Sequence, residues 1–369
     1  MKKLTRLLAV SALTVLVGGG VVETVTPQST VQAAKKAKAK KAKKTKAKKT
    51  KAKKSKAKKS KAKKTAKEKK YYTAKQWSQV LHYRKQAKKI GVTTKGMYAQ
   101  KPRLKKSFRP GKLSASYINR TVNWINFYRT MFGLSKVQAD SDWNTSAQYG
   151  AATLAAADKG LSHGLVGIKR PSFVSKADWQ KGADATNQSN LSREVTGPYD
   201  IVTGYLSDDN DLSGLEPGHR LWILGGIDRV GVGQADGYND LRVFADNSYG
   251  ATTPVKKTAF PRAGLMPYAL VSQGAPWSVS WPDEYTGDSS SSPQVSVYDK
   301  TAKKAVKVTH VNASQAGYGF FGTTVYFLPK KSQLKVNHAY KVEVSGVEDQ
   351  SDISYTTRLF DLKVNGAFY

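Results

Sequence analysis

A lysine pentad repeated five times near the amino terminus most restricts how this chain can fold. The repeats KAKKT, KAKKT, KAKKS, KAKKS and KAKKT cover residues 41–65. The segment around them, residues 35–70, contains 22 lysines and one acid, Glu68, and so has a net charge of +21. Lysines at this density repel one another along any helix face, and the segment has no apolar residue larger than alanine to bury. We therefore expect a disordered lysine-rich tail over residues 34–70.

The residues before the tail have the organisation of a secretory signal peptide. Lys2, Lys3 and Arg6 precede an apolar stretch from Leu7 to Val22, and Val31-Gln32-Ala33 supplies small residues at the cleavage positions. We expect a signal peptide over residues 1–33, and therefore a secreted, extracellular protein. No later stretch is apolar enough to cross a membrane, so no span is expected after cleavage. The chain has no cysteine, so any metal site must use His, Asp, Glu or backbone oxygen atoms.

The charge of the tail predicts its partners. In the cytoplasm a polycation of this kind would indicate a nucleic-acid arm, but a secreted chain meets other polyanions, so nucleic acid is not the expected partner. We expect residues 35–70 to bind anionic cell-wall polymers or an anionic lipid surface, where each lysine contributes about 1 kcal/mol. Such binding associates the protein with the cell envelope. The alternative is a solvated spacer without a partner.

Residues 71–369 carry a net charge of only +13 and have the periodicities of a folded α+β protein. Residues 71–111 are expected to form a basic helical connector. Amphipathic or alanine-rich stretches predict three helices, at Ala74 to Lys89, Ser116 to Phe132 and about Asp142 to Lys159. Apolar stretches interrupted by glycine predict two strands, at Ile227 to Gln234 and Leu241 to Ala245. Ser116 and Gly160 are the expected ends of the second and third helices.

The last hundred residues have the pattern of an antiparallel β-sandwich. Short alternating runs separated by turn residues predict its strands: Val295 to Tyr298, Val306 to Val311, Thr323 to Leu328, Tyr340 to Val344 and Leu359 to Val364. We expect a β-sandwich over residues 265–369, which resembles the immunoglobulin-like modules of bacterial surface proteins. His310 and His338 have no acidic partner at metal-binding spacing, so structural roles are expected for both.

Three sequence fragments resemble the CAP superfamily, the cysteine-rich secretory, antigen 5 and pathogenesis-related 1 proteins. The first is NWINFYR at residues 123–129, followed by Gly133-Leu134. The second is LSHG at residues 161–164, which resembles the first histidine motif of the family. The third is GHRLWIL at residues 218–224 with VGVG at 230–233, which is similar to the second histidine motif and its strand in bacterial members. The resemblance covers residues 112–254.

The resemblance implies an α-β-α sandwich with a central cleft lined by two histidines and two acids. His163 and His219 are the histidines, and Glu194 takes the position of the first glutamate. Asp208 takes the position of the second, where an aspartate shortens the reach of the carboxylate. The fold expected for the whole chain is thus a CAP-type α-β-α sandwich followed by an antiparallel β-sandwich, after a disordered tail.

The chemistry of these four side chains leaves three roles open. Two histidines and two carboxylates could hold a divalent cation such as zinc, with water completing its coordination. The same groups could act as a general acid and base, since imidazole titrates near neutral pH. They could also form a hydrogen-bonded network that only stabilises the cleft. Two functions follow: a secreted, envelope-associated protein that binds an extracellular or cell-wall ligand, or a metal-dependent or His/acid-dependent hydrolase acting on peptide or cell-wall substrate.

Overall fold

The computed structural model describes residues 65–209, 214–244, 251–282 and 292–364. The predicted signal peptide and residues 34–64 of the predicted tail lie outside the described residues. Residues 65–69 are helical, and the Glu68 carboxylate forms ion pairs with Arg84 and, at 2.6 Å, with Lys363. The tail boundary predicted at residue 70 is therefore too late, because the one acid of the segment is held between two basic side chains.

Helices dominate the first half of the folded chain and strands the second. The α-helices after residue 69 are α1 (Ala74–Ile90), α2 (Ala115–Met131), α3 (Ser141–Ala157), α4 (Lys176–Thr186), α5 (Pro198–Ser207) and α6 (Gly218–Leu224). The strands of this half are β1 (Tyr98–Gln100), β2 (Arg103–Lys105), β3 (Ser107–Arg109), β4 (Lys112–Leu113), β5 (Gln138–Ala139), β6 (Ser189–Ser192), β7 (Arg229–Ala235) and β8 (Tyr238–Arg242). The strands of the second half are β9 (Thr258–Phe260), β10 (Gly264–Pro267), β11 (Trp277–Trp281), β12 (Gln294–Asp299), β13 (Lys304–Val306), β14 (Val308–Ser314), β15 (Thr323–Pro329), β16 (Ala339–Ser345) and β17 (Ile353–Phe360).

The three predicted helices are confirmed as α1, α2 and α3, but two of their ends differ from the prediction. Ser114, not Ser116, caps α2, because its extended backbone lets its hydroxyl accept the N–H of Tyr117. At the end of α3, Asp158 adopts the left-handed conformation expected of Gly160, with φ of 49°. Aspartate tolerates this conformation better than most residues, so the helix ends two residues early.

A four-stranded sheet with the order β5-β7-β8-β6 forms the centre of the first half. The β7–β8 hairpin turns at Asp236-Gly237, both with positive φ, as a two-residue turn of this kind requires. On one face, Gly231 and Gly233 let the backbone of α3 lie directly on β7, where any side chain would collide with it. The valines that alternate with these glycines, Val230 and Val232, belong to the core shared with α2 and α5. The sheet therefore lies between two layers of helices, and the fold is α+β.

The second half consists of two sheets, here called the C-terminal sheets, with the orders β10-β17-β16-β12-β13 and β14-β15-β11-β9. Most of their strand pairs are antiparallel, but β10 pairs with β17 in parallel, so the purely antiparallel prediction is wrong at this edge. The last strand, predicted over Leu359 to Val364, instead spans Ile353–Phe360, so prediction and structure share only Leu359 and Phe360. Three strands, β9, β10 and β11, lie before the first predicted run.

His338, which has no acid at metal-binding spacing in the sequence, contacts one in the fold. Its Nδ1 atom lies 2.7 Å from Oδ2 of Asp299, and the other carboxylate oxygen accepts the N–H groups of Thr301 and Ala302 at 2.9 Å each. Asp299 and His338 are 39 positions apart, and only the pairing of β12 with β16 brings them together. The pair holds the turn between β12 and β13, so the expected structural role agrees with this geometry.

The helical half and the C-terminal sheets share one apolar core. Phe132 after α2 stacks on Phe260 of β9 at 6.3 Å between ring centroids, and Tyr83 of α1 stacks on Phe360 of β17 at 5.8 Å. Residues 68–369 accordingly form one compact unit. Among the described residues, no helix has the length and apolarity needed to cross a membrane.

One acid is buried between the central sheet and its covering helices. Asp240 of β8 is fully buried, and its carboxylate lies against the backbone of α3 at Gly150. The hydroxyl of the nearby Ser189, which donates to the carbonyl of Ala185, lowers the pKa of Asp240 by less than burial raises it. Burial therefore raises the pKa of Asp240 from 3.8 to about 8. The folded protein holds the proton that the unfolded chain releases, so stability falls as the pH rises from about 4 to about 8.

Replacing Asp240 with asparagine should remove this dependence, because the amide has the shape of the neutral acid and no charge to bury. Between pH 5 and pH 8, the free energy of unfolding of wild type should fall with pH more steeply than that of Asp240→Asn. The difference in slope should reach up to about 1.4 kcal/mol per pH unit. Urea denaturation at pH 5, 6, 7 and 8 measures both. Asp228→Asn is the control, because Arg229 lowers the pKa of Asp228, whose contribution is constant over this range. Equal slopes in wild type and Asp240→Asn would contradict the assignment.

Candidate functional site

Two adjacent pockets meet at His219. One, here called the acidic pocket, has a volume of about 310 Å³ and is lined by Glu194, Asp208, Asp209 and His219 among others. The other, here called the aromatic pocket, has a volume of about 520 Å³ and is lined by His163 and His219 together with aromatic and amide side chains. His219 thus contributes to both, and each of the four predicted site residues lines at least one of them.

Two of the predicted site residues, Asp208 and His219, are in direct contact. Asp208 immediately follows α5 in the left-handed conformation, with φ of 52°, and His219 is the second residue of α6. The carboxylate Oδ1 lies 2.8 Å from the imidazole Nδ1, and Oδ2 accepts the N–H of Arg220 at 3.1 Å. The Asp208 side chain is 1% exposed and that of His219 is 22% exposed. A buried carboxylate that also binds the start of α6 fixes the orientation of the imidazole.

The shorter side chain of aspartate, noted as a departure from the family pattern, suffices here. The left-handed turn at the end of α5 places Asp208 directly against the first turn of α6, so no longer reach is needed. The His219 ring also lies 5.3 Å from the ring of Tyr205, and its backbone carbonyl accepts the side-chain amide of Asn190 at 3.0 Å. Burial raises the pKa of Tyr205 well above 10. Helices α5 and α6 and strand β6 together hold His219.

His163 lies in a short 3-10 turn, His163–Leu165, after α3. Its Nδ1 atom is 2.8 Å from the carbonyl oxygen of Thr186, which only accepts, so Nδ1 carries a proton. The side chain is exposed and lines the aromatic pocket but not the acidic one. Gly164 supplies the left-handed turn that places it there, with φ of 65°. His163 and His219 thus line the same pocket, which Glu194 and Asp208 do not line.

Glu194 occupies the other side of the site. It follows β6 with φ of 66°, its side chain is 81% exposed, and it lies 3.6 Å from Arg193 Nε. It lines the acidic pocket but not the aromatic one. Within the described ranges, no three His, Asp or Glu side chains form a group that could hold a metal ion. The four predicted ligands do not form such a group in this arrangement, and binding of a cation by them stays a prediction.

The sequence did not indicate the aromatic side of the site. Trp222 follows His219 by three positions on α6, and its ring stacks on Phe244 at 4.8 Å between centroids. Phe320 meets the edge of the same indole at 5.5 Å. Tyr318 and Glu216 complete this side of the aromatic pocket. The one sequence signal for Tyr318 is the alternation of glycine and aromatic residues in GYGFFG at residues 317–322.

Arg220 fixes the base of the site. It is fully buried next to His219, and its guanidinium donates to the carbonyls of Leu206 (2.6 Å) and Ser207 (2.7 Å) at the end of α5. It also donates to the carbonyl of Pro276 at 2.8 Å and to the hydroxyl of Ser278 at 3.2 Å. Its carbon Cζ lies 3.7 Å above the ring of Phe260. Burial lowers the pKa of Arg220 to about 9, so it is charged at neutral pH.

Comparisons of the chain with protein-family models, with curated proteins and with solved structures find no match.

Replacing Arg220 with methionine should destabilise the protein by about 3 kcal/mol or more, because three buried carbonyls lose their donor. Lysine should recover little, since one ammonium group cannot donate in the directions of a planar guanidinium. Guanidinium denaturation followed by tryptophan fluorescence measures the loss. Arg229→Met is the control: Arg229 is about half exposed and pairs with Asp228 at the surface, so its loss should cost under about 1 kcal/mol. Equal losses in the two variants would contradict the assigned role of Arg220.

Proposed function

We propose that this chain is a secreted, cell-envelope-associated protein of the CAP type that binds an extracellular or cell-wall ligand in the pockets around His219. The three sequence fragments support the family assignment, and the helix–sheet–helix layering is compatible with it. The observation that carries the proposal is the meeting of two pockets at one oriented histidine, His219. Concave sites with a few convergent polar groups are the usual places of ligand binding.

The hydroxyl groups beside the histidines favour binding over covalent catalysis. Ser162 and Ser189 line the aromatic pocket, but their hydroxyls donate to the backbone carbonyls of Val166 and Ala185, each at 2.8 Å. A serine nucleophile would instead bond to the histidine that takes its proton. The pocket is therefore proposed as a binding site.

The lysine-rich tail is proposed to hold the protein at an anionic surface. Residues 35–64, which lie outside the described residues, contain 19 lysines and no acid and so contribute a charge of +19. Electrostatic attraction of this kind needs no fixed structure and weakens steeply with salt. The tail would then supply retention at the cell envelope, and the folded residues would supply ligand specificity.

A hydrolase is the second candidate, and the Asp208–His219 pair is the observation that favours it. A buried carboxylate bonded to Nδ1 is the arrangement that prepares a histidine to act as a general base. In this reading His219 would activate water toward a peptide or cell-wall substrate, with or without a divalent cation.

Removing the tail charge should release the protein from cells. Two variants of the mature chain are compared: a deletion of residues 35–64, and a tail of equal length in which every lysine of that segment is glutamine. Both should move to the medium, and wild type should elute between 0.1 M and 1 M salt, where the Debye length falls from about 10 Å to about 3 Å. Immunoblots of cell and medium fractions measure this. Retention of the glutamine variant on cells would show that charge is not the anchor.

Replacing His219 should separate binding from hydrolysis. Solubilised cell-wall fragments should bind the glutamine-tail protein in calorimetry, and His219→Ala should weaken that binding at least about tenfold, since it removes a group common to both pockets. His338→Ala is the matched control, because His338 also pairs with a buried aspartate but lies at a hairpin turn. No product should be released from peptidoglycan or peptides, with or without a chelator. Product release that His219→Ala abolishes and His338→Ala leaves intact would favour the hydrolase.

A further inference from the structure

A loop from the C-terminal sheets forms one side of the aromatic pocket. This glycine–aromatic loop, residues 317–322, connects β14 with β15 and lies against α6. The N–H of Gly226 donates to the carbonyl of Gly319 at 3.0 Å. A side chain at Gly225 would collide with the Gly319 backbone, and one at Gly319 would collide with the carbonyl of Leu221. Two glycines thus permit direct backbone contact, which fixes the position of the loop on the helix that carries His219.

This contact places Tyr318 at the edge of the aromatic pocket. Its ring lies about 3.5 Å from the position that a Cβ atom would occupy at Gly218, the residue before His219. The side chain is among the large hydrophobic ones that remain exposed, at 37%. The neighbouring Phe320 instead packs against Trp222, and Glu216, also in the pocket, accepts the hydroxyl of Ser314. Contacts made by Ser314 before Tyr318 and by Phe320 after it hold Tyr318 where a bound molecule can reach it.

The lining of the pocket is aromatic and polar but carries almost no charge. Trp222, Phe244 and Tyr318 offer ring surfaces, and Asn187 and Asn190 offer amide groups. Among the described lining residues there is no lysine or arginine, although residues 71–369 carry a net charge of +13. Glu216 is the only acid among those described residues. An anionic polymer would find no fixed cation here and would meet a carboxylate, so the pocket chemistry differs from that of the tail.

We propose that the aromatic pocket binds a neutral sugar segment of a glycan, with Tyr318 and Trp222 as ring platforms and the amides and imidazoles around them as hydrogen-bonding partners. A sugar ring presents C–H groups on its faces, which pack on aromatic rings, and hydroxyls at its edge, which bond to such polar groups. The volume of about 520 Å³ lies within the roughly 300–1,000 Å³ typical of small-molecule sites. This inference rests on the proposed function, since it names the ligand class of the same site.

Calorimetry with the full mature chain tests the proposal. The probes are three neutral tetrasaccharides (cellotetraose, maltotetraose and tetra-N-acetylchitotetraose), one anionic ribitol phosphate oligomer and one apolar heptapeptide, all in 0.5 M salt to suppress binding to the tail. At least one tetrasaccharide should bind. Tyr318→Ala should weaken that binding about tenfold, and Tyr318→Phe, which keeps the ring, should stay within about threefold of wild type.

Tyr298→Ala is the matched control. Tyr298 is 41% exposed on the same C-terminal sheets but does not line the aromatic pocket, so its loss should leave sugar binding unchanged. Thermal melting checks that the three tyrosine variants fold. Failure of every tetrasaccharide to bind, equal binding by wild type and Tyr318→Ala, or Tyr318-dependent binding of the peptide or the anionic oligomer instead would overturn the proposal. If cell-wall fragments still bind in a His219-dependent way, only the ligand class is wrong; if they do not, the proposed function also fails.

Discussion

The buried guanidinium of Arg220 is the interaction on which the geometry of the site depends. It binds the carbonyls that end α5, the carbonyl of Pro276 ahead of β11, and the face of Phe260 in β9. A second buried arginine, Arg129 of α2, donates to the carbonyls of Ile223, Gly225 and Ile227 at the other end of α6. Because a desolvated guanidinium is tolerated only when its donors are satisfied, both arginines restrict α6 to one position. That position sets the location of His219.

The site therefore needs both the helical half of the folded chain and the C-terminal sheets. The acidic side comes from α5, β6 and α6, whereas Tyr318 on the aromatic side comes from the C-terminal sheets. Removing those sheets would take away the Phe260 ring on which Arg220 lies and leave Arg220 without two of its acceptors. The shared core explains why residues 68–369 form one compact unit despite their change from helices to strands.

Two histidine–aspartate pairs in this chain show that a side-chain pair does not define a role. The Asp208–His219 and Asp299–His338 contacts have nearly equal lengths, 2.8 Å and 2.7 Å, and in each the carboxylate is nearly fully buried. His338 lies beside a hairpin turn whose N–H groups occupy the second oxygen of Asp299. His219 lies where two pockets meet. The surroundings of each imidazole, rather than its acidic partner, therefore separate a structural contact from a candidate functional one.

Local sequence determined the helices α1 to α3, the β7–β8 hairpin and, among the later strands, β12, β15 and β16, because periodicity and turn residues act over a few positions. The motif fragments identified His163 and His219, and both line the same pocket. Sequence could not place Tyr318 in the pocket or pair Asp299 with His338, because both contacts join distant parts of the chain: Tyr318 lies against Gly218, and Asp299 and His338 are 39 positions apart. It predicted a purely antiparallel sandwich and so missed the parallel pairing of β10 with β17, since strand direction depends on chain connections far from either strand. Composition alone determined the polycationic tail, whereas the nearly uncharged pocket exists only because tertiary packing keeps every lysine and arginine of the described residues away from its lining.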